Sequence, residues 1–229
     1  MSSNRPARRK TGFGLIVAAG RGTRFGRLKQ FARVRGRPLL FYSLRSFERC
    51  PSVTGYVVVT NPDRVRSVRR MLSRWEFGKA MSVVPGGRLR QDSVRNGLEP
   101  LPEQGWVAVH DAARPLVTPE MIARGIRACT RTTPVTYGMP ITDTVKQVSG
   151  NRVVKTVDRG GLLTVQTPQF FAVNLLRRAH RQAAAGSVEA TDDCSLVERL
   201  GIRPRVLPGP VTNIKVTFVA DIRLVRRLL

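Results

Sequence analysis

The chain switches back and forth between two hydrophobic periods along most of its length, and that alternation leaves few folds open. Residues 14–18 form a short apolar run that stops at a glycine-rich loop, 20–26. Residues 38–50 then place Leu40, Phe41, Leu44 and Phe47 at helical spacing behind Pro38, a residue suited to a helix's first turn. The cycle repeats. A β-branched run at 56–60 precedes a helix over 62–75 with Val65, Val68, Met71 and Leu72 on one face. A strand at 81–84 precedes a helix at 92–101. A strand at 106–110 precedes a helix at 119–129, opened by Thr118 as an N-cap, and 134–140 is a further strand. Strands joined through helices pack as a doubly wound, mostly parallel sheet with right-handed crossovers. The fold class is therefore α/β and Rossmann-like. Ligands in such sheets bind beyond the carboxyl ends of the strands, so the loops after Ala18, Val84 and His110 should share one crevice.

Residues 141–161 break the rhythm. The stretches 144–148 and 152–157 alternate around Ser149-Gly150-Asn151, which predicts a projecting hairpin. Beyond it, Gln166-Thr167-Pro168-Gln169-Phe170-Phe171 reads as a buried turn with both phenylalanines in the core. Helices are expected over 172–185, over 191–200 from an N-cap at Thr191, and over 220–229, with a strand near Val206. Nothing in the composition divides the chain, so 13–229 reads as one domain behind a basic tail at 1–12.

Composition narrows the function. No apolar run approaches the roughly 20 residues that cross a bilayer, and the amino end lacks the apolar core of a secretory leader. Cys50, Cys129 and Cys194 are odd in number and lack C-x-x-C spacing. Reduced thiols in the cytoplasm fit better than disulfides or structural zinc. The net charge is +25, carried by 34 arginines and 6 lysines. Such a balance attracts polyanions, and a basic nucleic-acid-binding module is one reading. The arginines, however, are spread along the chain and are not interleaved with aromatics. Steering of phosphorylated substrates is the better expectation, with no specific nucleic acid.

Two motifs carry chemistry. Ala18-Ala19-Gly20-Arg21-Gly22-Thr23-Arg24-Phe25-Gly26 follows the first strand, with Lys29-Gln30 just beyond. Glycines after a strand let backbone N–H groups approach phosphates closely, and Arg24 and Lys29 bring positive charge to a triphosphate. The segment has neither the dinucleotide fingerprint nor the G-K-[ST] of a P-loop. The second motif, His110-Asp111-Ala112-Ala113-Arg114-Pro115, ends a strand. There Asp111 can hold a hydroxylated substrate and Arg114 a phosphate. His110 receives no catalytic role.

With Gln166–Phe171, Ala190-Thr191-Asp192-Asp193 and Asn213-Ile214-Lys215-Val216-Thr217, these motifs occur in an order that resembles the 2-C-methyl-D-erythritol 4-phosphate cytidylyltransferase family. The resemblance runs from about Phe13 to the carboxyl end. It implies transfer of the cytidylyl group of CTP to 2-C-methyl-D-erythritol 4-phosphate in isoprenoid precursor synthesis, with Mg²⁺ carried on the CTP phosphates. It implies a homodimer in which the arm at 141–161 swaps across. By the same resemblance Arg24, Lys29 and Lys215 stabilise the α-phosphate. Ala18, Ala19 and Gly20, with Gly87 and Ser93, hold the nucleotide. Asp111, Arg114, Thr144, Arg159, Thr167 and Thr191 contact the polyol phosphate, with Thr144 and Arg159 acting in the partner's site. Leu28 stands where the family often has proline, and Arg88 where it often has an acid. A ribitol 5-phosphate cytidylyltransferase is the nearest alternative.

Overall fold

The structure is a computed structural model that describes residues 10–229 except Arg27, and at Arg24 the backbone alone. Most of the expected basic tail therefore lies outside the described residues.

The elements follow the expected alternation. Strand β1 (Gly12–Ala18) leads through two 3₁₀ turns, Thr23–Phe25 and Lys29–Phe31, to a small hairpin of β2 (Arg33–Val34) and β3 (Arg37–Pro38). Then come α1 (Leu39–Arg49), β4 (Val53–Thr60), α2 (Val65–Arg74), β5 (Ala80–Pro85), α3 (Arg90–Leu98), β6 (Trp106–Asp111), α4 (Pro119–Ala128) and β7 (Val135–Pro140). A hairpin of β8 (Val145–Ser149) and β9 (Arg152–Val157) precedes β10 (Leu163–Ala172), α5 (Val173–Ala185), α6 (Asp193–Glu198), β11 (Arg205–Pro208) and α7 (Asp221–Leu228).

Seven strands form one sheet in the order β11-β7-β10-β6-β1-β4-β5. Pairing is parallel except where β10 runs antiparallel to both β6 and β7. The chain leaves β1 toward β4 and β5, then returns to its other side at β6. The strand order thus reverses at β1, and a crevice opens at that switch point. Helices cover both faces, as the continuous apolar runs require. Adjacent residues feed opposite cores: Ile16 and Phe170 pack with α1 and α4, while Leu15 and Phe171 pack with α3 and α5. Both phenylalanines are fully buried. Close contact of α4 with β10 depends on Gly125, where an added Cβ would lie 2.1 Å from the Phe170 ring.

Two expectations need correction. Residues 166–171 are not a turn but belong to a ten-residue strand inserted between β6 and β7. Pro168 cannot donate to a ladder, which disfavours it in a central strand. It sits at the register shift between Gln166 and Phe170 in the β7 pairing, just before the β6 pairing begins at Gln169. At α6 the N-cap is Asp192, whose carboxylate accepts from the Ser195 amide, and not Thr191. Thr118 does cap α4, accepting from the Met121 amide at 3.3 Å.

Candidate active site

The loops after β1, β5 and β6 line one crevice of about 530 Å³, as the topology requires. A wider cavity of about 940 Å³ opens over Phe31, Met71 and Trp75, and none of the candidate site residues lines it.

The glycine-rich loop is pinned from behind. Gln30 Nε2 donates to the carbonyls of Ala18 (2.7 Å) and Gly20 (3.1 Å), and Asn61 Nδ2 donates to that of Ala19 (3.0 Å). These side chains thus satisfy the loop's carbonyls, while the amides of Gly20 and Gly22 meet no acceptor among the described residues. Gly22 and Gly26 take left-handed conformations on either side of the first 3₁₀ turn. Arg24 lies in that turn, and its side chain is outside the described part. Across the crevice the Gly86 amide bonds Thr60 O at 2.7 Å, and the Gly87 amide bonds Ser93 Oγ at 3.2 Å. Ala18, Ala19, Gly20, Gly87 and Ser93 therefore all line the crevice. Arg88 lines the crevice and makes an exposed pair with Glu189.

Asp111 forms the floor, at the end of β6. Its amide donates to Thr167 Oγ1 at 3.0 Å. Its carboxylate takes Arg90 Nε on Oδ1 at 3.1 Å and Lys215 Nζ on Oδ2 at 2.6 Å. Burial pushes the Asp111 carboxyl upward, but Arg90 and then Lys215 outweigh this and hold it well below the usual carboxylate range. Burial lowers His110 to about 3, so the ring is neutral. Its Nε2 then donates to Arg114 O at 3.2 Å, and its Nδ1 is left to accept from the Thr167 hydroxyl at 3.3 Å. His110 is a strut under the site.

Lys215 reaches the floor because the carboxyl-terminal segment docks beside it. Asn213 is fully buried and donates to Gln166 Oε1 and Thr167 O, each at 2.9 Å. The Val216 amide bonds Ala113 O at 2.8 Å. Lys29 comes to the same segment from 187 residues away, its Nζ donating to Val216 O at 2.8 Å. Lys29 and Lys215 thus converge on one crevice.

Other candidates sit elsewhere. Arg114 is buried behind the floor, bonding Asn213 O at 2.7 Å and Val165 O at 3.3 Å, so its guanidinium faces the chain's own carbonyls. Thr191 is exposed just before α6. Thr144 and Arg159 flank the hairpin, outside this chain's crevice, and Arg159 bonds the Thr142 carbonyl. Sequence reasoning missed Gln30, Asn61 and Arg90. Arg90 links Asp111 to Asp193, which it meets through Nη1 at 2.7 Å.

The profile of IspD, 2-C-methyl-D-erythritol 4-phosphate cytidylyltransferase, matches residues 13–229. The chain belongs to the IspD family. It is 36% identical over 217 residues to a 2-C-methyl-D-erythritol 4-phosphate cytidylyltransferase of Dehalococcoides mccartyi, covering 94% of both chains. It is 40% identical over 218 residues to a protein of the same name from Rubrobacter xylanophilus, covering 94% of this chain and 93% of that one. The crystal structure of the Thermus thermophilus enzyme of that name superposes with a TM-score of 0.76 at 31% identity, covering 93% of this chain and 96% of that one. As an IspD-family member the chain is a nucleotidyltransferase with the fold of that structure.

Proposed function

We propose that this chain transfers the cytidylyl group of CTP to 2-C-methyl-D-erythritol 4-phosphate. A phosphate oxygen of the polyol attacks the α-phosphorus, the bond to the bridging oxygen of the β-phosphate breaks, and pyrophosphate leaves. The products are 4-diphosphocytidyl-2-C-methyl-D-erythritol and pyrophosphate. The observation that carries this reading is the convergence of Lys29 and Lys215 on a crevice walled by two glycine loops and floored by Asp111. Phosphoryl-type transfer needs mostly alignment and charge stabilisation, and cations aimed at the developing charge supply both. The small residues Ala18, Ala19 and Gly87 on the crevice wall suit a pyrimidine. The Asp111 carboxylate in the same crevice suits the hydroxyls of a polyol.

Among the described residues no three His, Cys, Asp or Glu side chains cluster to hold a metal. Both oxygens of Asp111 are engaged by cations. Mg²⁺ therefore fits as part of the substrate, chelated by the CTP phosphates.

Among the described residues, none from the arm lines the chain's own crevice, and the arm's Val148, Val153 and Val154 are each about three-fifths exposed. These exposed valines support a swapped homodimer that brings Thr144 and Arg159 to the partner's polyol phosphate. Mixed dimers of Arg159→Ala and Lys29→Ala subunits test this: recovered activity supports it, and none refutes it. No helix among the described residues is long and apolar enough to cross a membrane, and Cys50, Cys129 and Cys194 are free and buried. The free thiols support a cytoplasmic protein.

The deciding experiment incubates purified protein with CTP, Mg²⁺ and either 2-C-methyl-D-erythritol 4-phosphate or ribitol 5-phosphate, and measures pyrophosphate. Preference for ribitol phosphate would replace the proposed substrate. Release with neither would refute the activity.

A further inference from the structure

We propose that Arg90 is a positioning residue that keeps Asp111 paired so that Lys215 can leave it for the substrate phosphate. The proposal rests on the cytidylyl-transfer reading. Lys215 Nζ and Asp111 Oδ2 lie 2.6 Å apart. While they hold each other at this distance, the carboxylate offsets the amine's charge, and a substrate phosphate must compete with Asp111 for it. Separating them would strand a nearly buried carboxylate without a counter-charge, which is strongly unfavourable. Arg90 removes the obstacle, because its Nε stays on Oδ1 at 3.1 Å when Lys215 departs from Oδ2.

The two cations on Asp111 are held very differently. The Lys215 side chain is 41% exposed, and its amine makes no other bond among the described residues. Arg90 is anchored at its far end by Asp193 Oδ2 at 2.7 Å. Asp193 is almost fully buried, takes His180 Nε2 on its other oxygen at 3.1 Å, and donates its amide to Gln169 Oε1 at 3.2 Å. The anchor thus runs from α3 through α6 to α5 and β10. Lysine could not take this place, because the fork of a guanidinium spans two carboxylates at once and an ammonium is a point charge. Arg114 cannot substitute, since its guanidinium bonds backbone carbonyls.

A double-mutant cycle of Arg90→Gln and Asp111→Asn tests this. Affinity for 2-C-methyl-D-erythritol 4-phosphate is measured by calorimetry with a non-reactive CTP analogue, so that a slow variant still reports. Turnover, CTP KM and melting temperature are recorded alongside. With Asp111 charged, Arg90→Gln should weaken polyol phosphate binding by about 10²-fold, as for one lost partner of a buried charge pair. CTP KM should stay within about threefold, the usual scatter of uncoupled sites. In the Asp111→Asn background the same change should cost no more than about threefold, because Lys215 no longer has a charge to leave. Arg90→Lys should fall between. Equal losses in both backgrounds, or a loss carried by CTP, would overturn the proposal and reduce Arg90 to a clamp between α3 and α6. Should Arg90→Gln fail to fold, Arg90→Lys and Asp193→Asn carry the same comparison against Asp111→Asn. Lack of pyrophosphate release by the unaltered chain would refute the enzyme assignment. Release accompanied by additive losses would refute the role of Arg90 alone.

Discussion

Gly86→Ala tests whether two backbones in contact shape the crevice. A Cβ on Gly86 would lie 2.3 Å from Ala19 Cβ and 2.8 Å from Ser93 Oγ. Carbon atoms in ordinary contact sit at about 3.5–4.0 Å, so the two loops must part by about 1 Å or more. Thr60 and Ser93 behind the loop are buried, and Gly86 is tied to Thr60 by its amide. Relief therefore comes at the open side, where Gly87 and Ala19 line the crevice. Overpacking of this kind costs about 1–3 kcal/mol. Taken wholly from nucleotide binding, that raises CTP KM by about 5- to 150-fold. The KM for the polyol phosphate should change little. The control is the same methyl group in the core. Gly125→Ala drives a Cβ to within 2.1 Å of the Phe170 ring. Helix propensity returns about 1 kcal/mol, leaving a net loss of up to about 2 kcal/mol and a melting point lower by up to about 8 °C, with CTP KM unchanged. Steady-state kinetics and thermal melts of both variants decide the matter. A Gly86→Ala enzyme with CTP KM within about twofold of the parent, well short of the 5-fold lower bound worked above, or with equal losses for both substrates, refutes the reasoning.

Lys29→Ala should lower kcat by about 10²–10³-fold, the usual effect of removing one preorganised charge donor; a near-normal rate would take Lys29 out of the mechanism. His110 titrates at about 3 when folded, against 6.5 ordinarily, so the unfolded chain takes up the proton first. Its share of stability is complete above pH 6.5 and shrinks as pH falls toward 3, by at most about 1.4 kcal/mol per pH unit. Asp111 and Asp193, both held below 3.8, lose their contribution only below that value. Chemical denaturation between about pH 7 and 4, the window in which the unfolded histidine titrates, should therefore show a shallower decline in His110→Asn than in the parent, and equal slopes would contradict the neutral strut. Thr118→Ala removes the α4 cap and should cost about 1 kcal/mol, visible as a lower melting point with both KM values unaltered.

The periodic elements were legible because each strand is a short apolar run and each helix carries a stripe. The exceptions have physical causes. Strand β10 hides because Pro168 and its polar neighbours break its pattern, and only the register shift beside β7 lets proline sit there. The α6 cap was misplaced by one residue because Thr191 and Asp192 are both good caps, and the choice is made by which side chain reaches the Ser195 amide. Lys29, Asp111 and Lys215 were found through motifs. Arg90 was not, since one arginine among 34 looks like any other until Asp111 and Asp193 are seen on either side of it. Arg114 is the converse case: its residue type suits phosphate, and the fold places its guanidinium on the carbonyls of Asn213 and Val165.

A chain grown only as far as Pro208 already holds all seven strands of the main sheet, the glycine-rich loop, Asp111 and Thr167. It lacks the amine that sits on Asp111 and the carbonyl that holds Lys29. The polypeptide after Pro208 therefore supplies both contacts that engage Asp111 and Lys29 from the carboxyl-terminal side. Without it every strand of the main sheet would still be present in sequence, while Asp111 would lose the Lys215 amine and Lys29 the Val216 carbonyl.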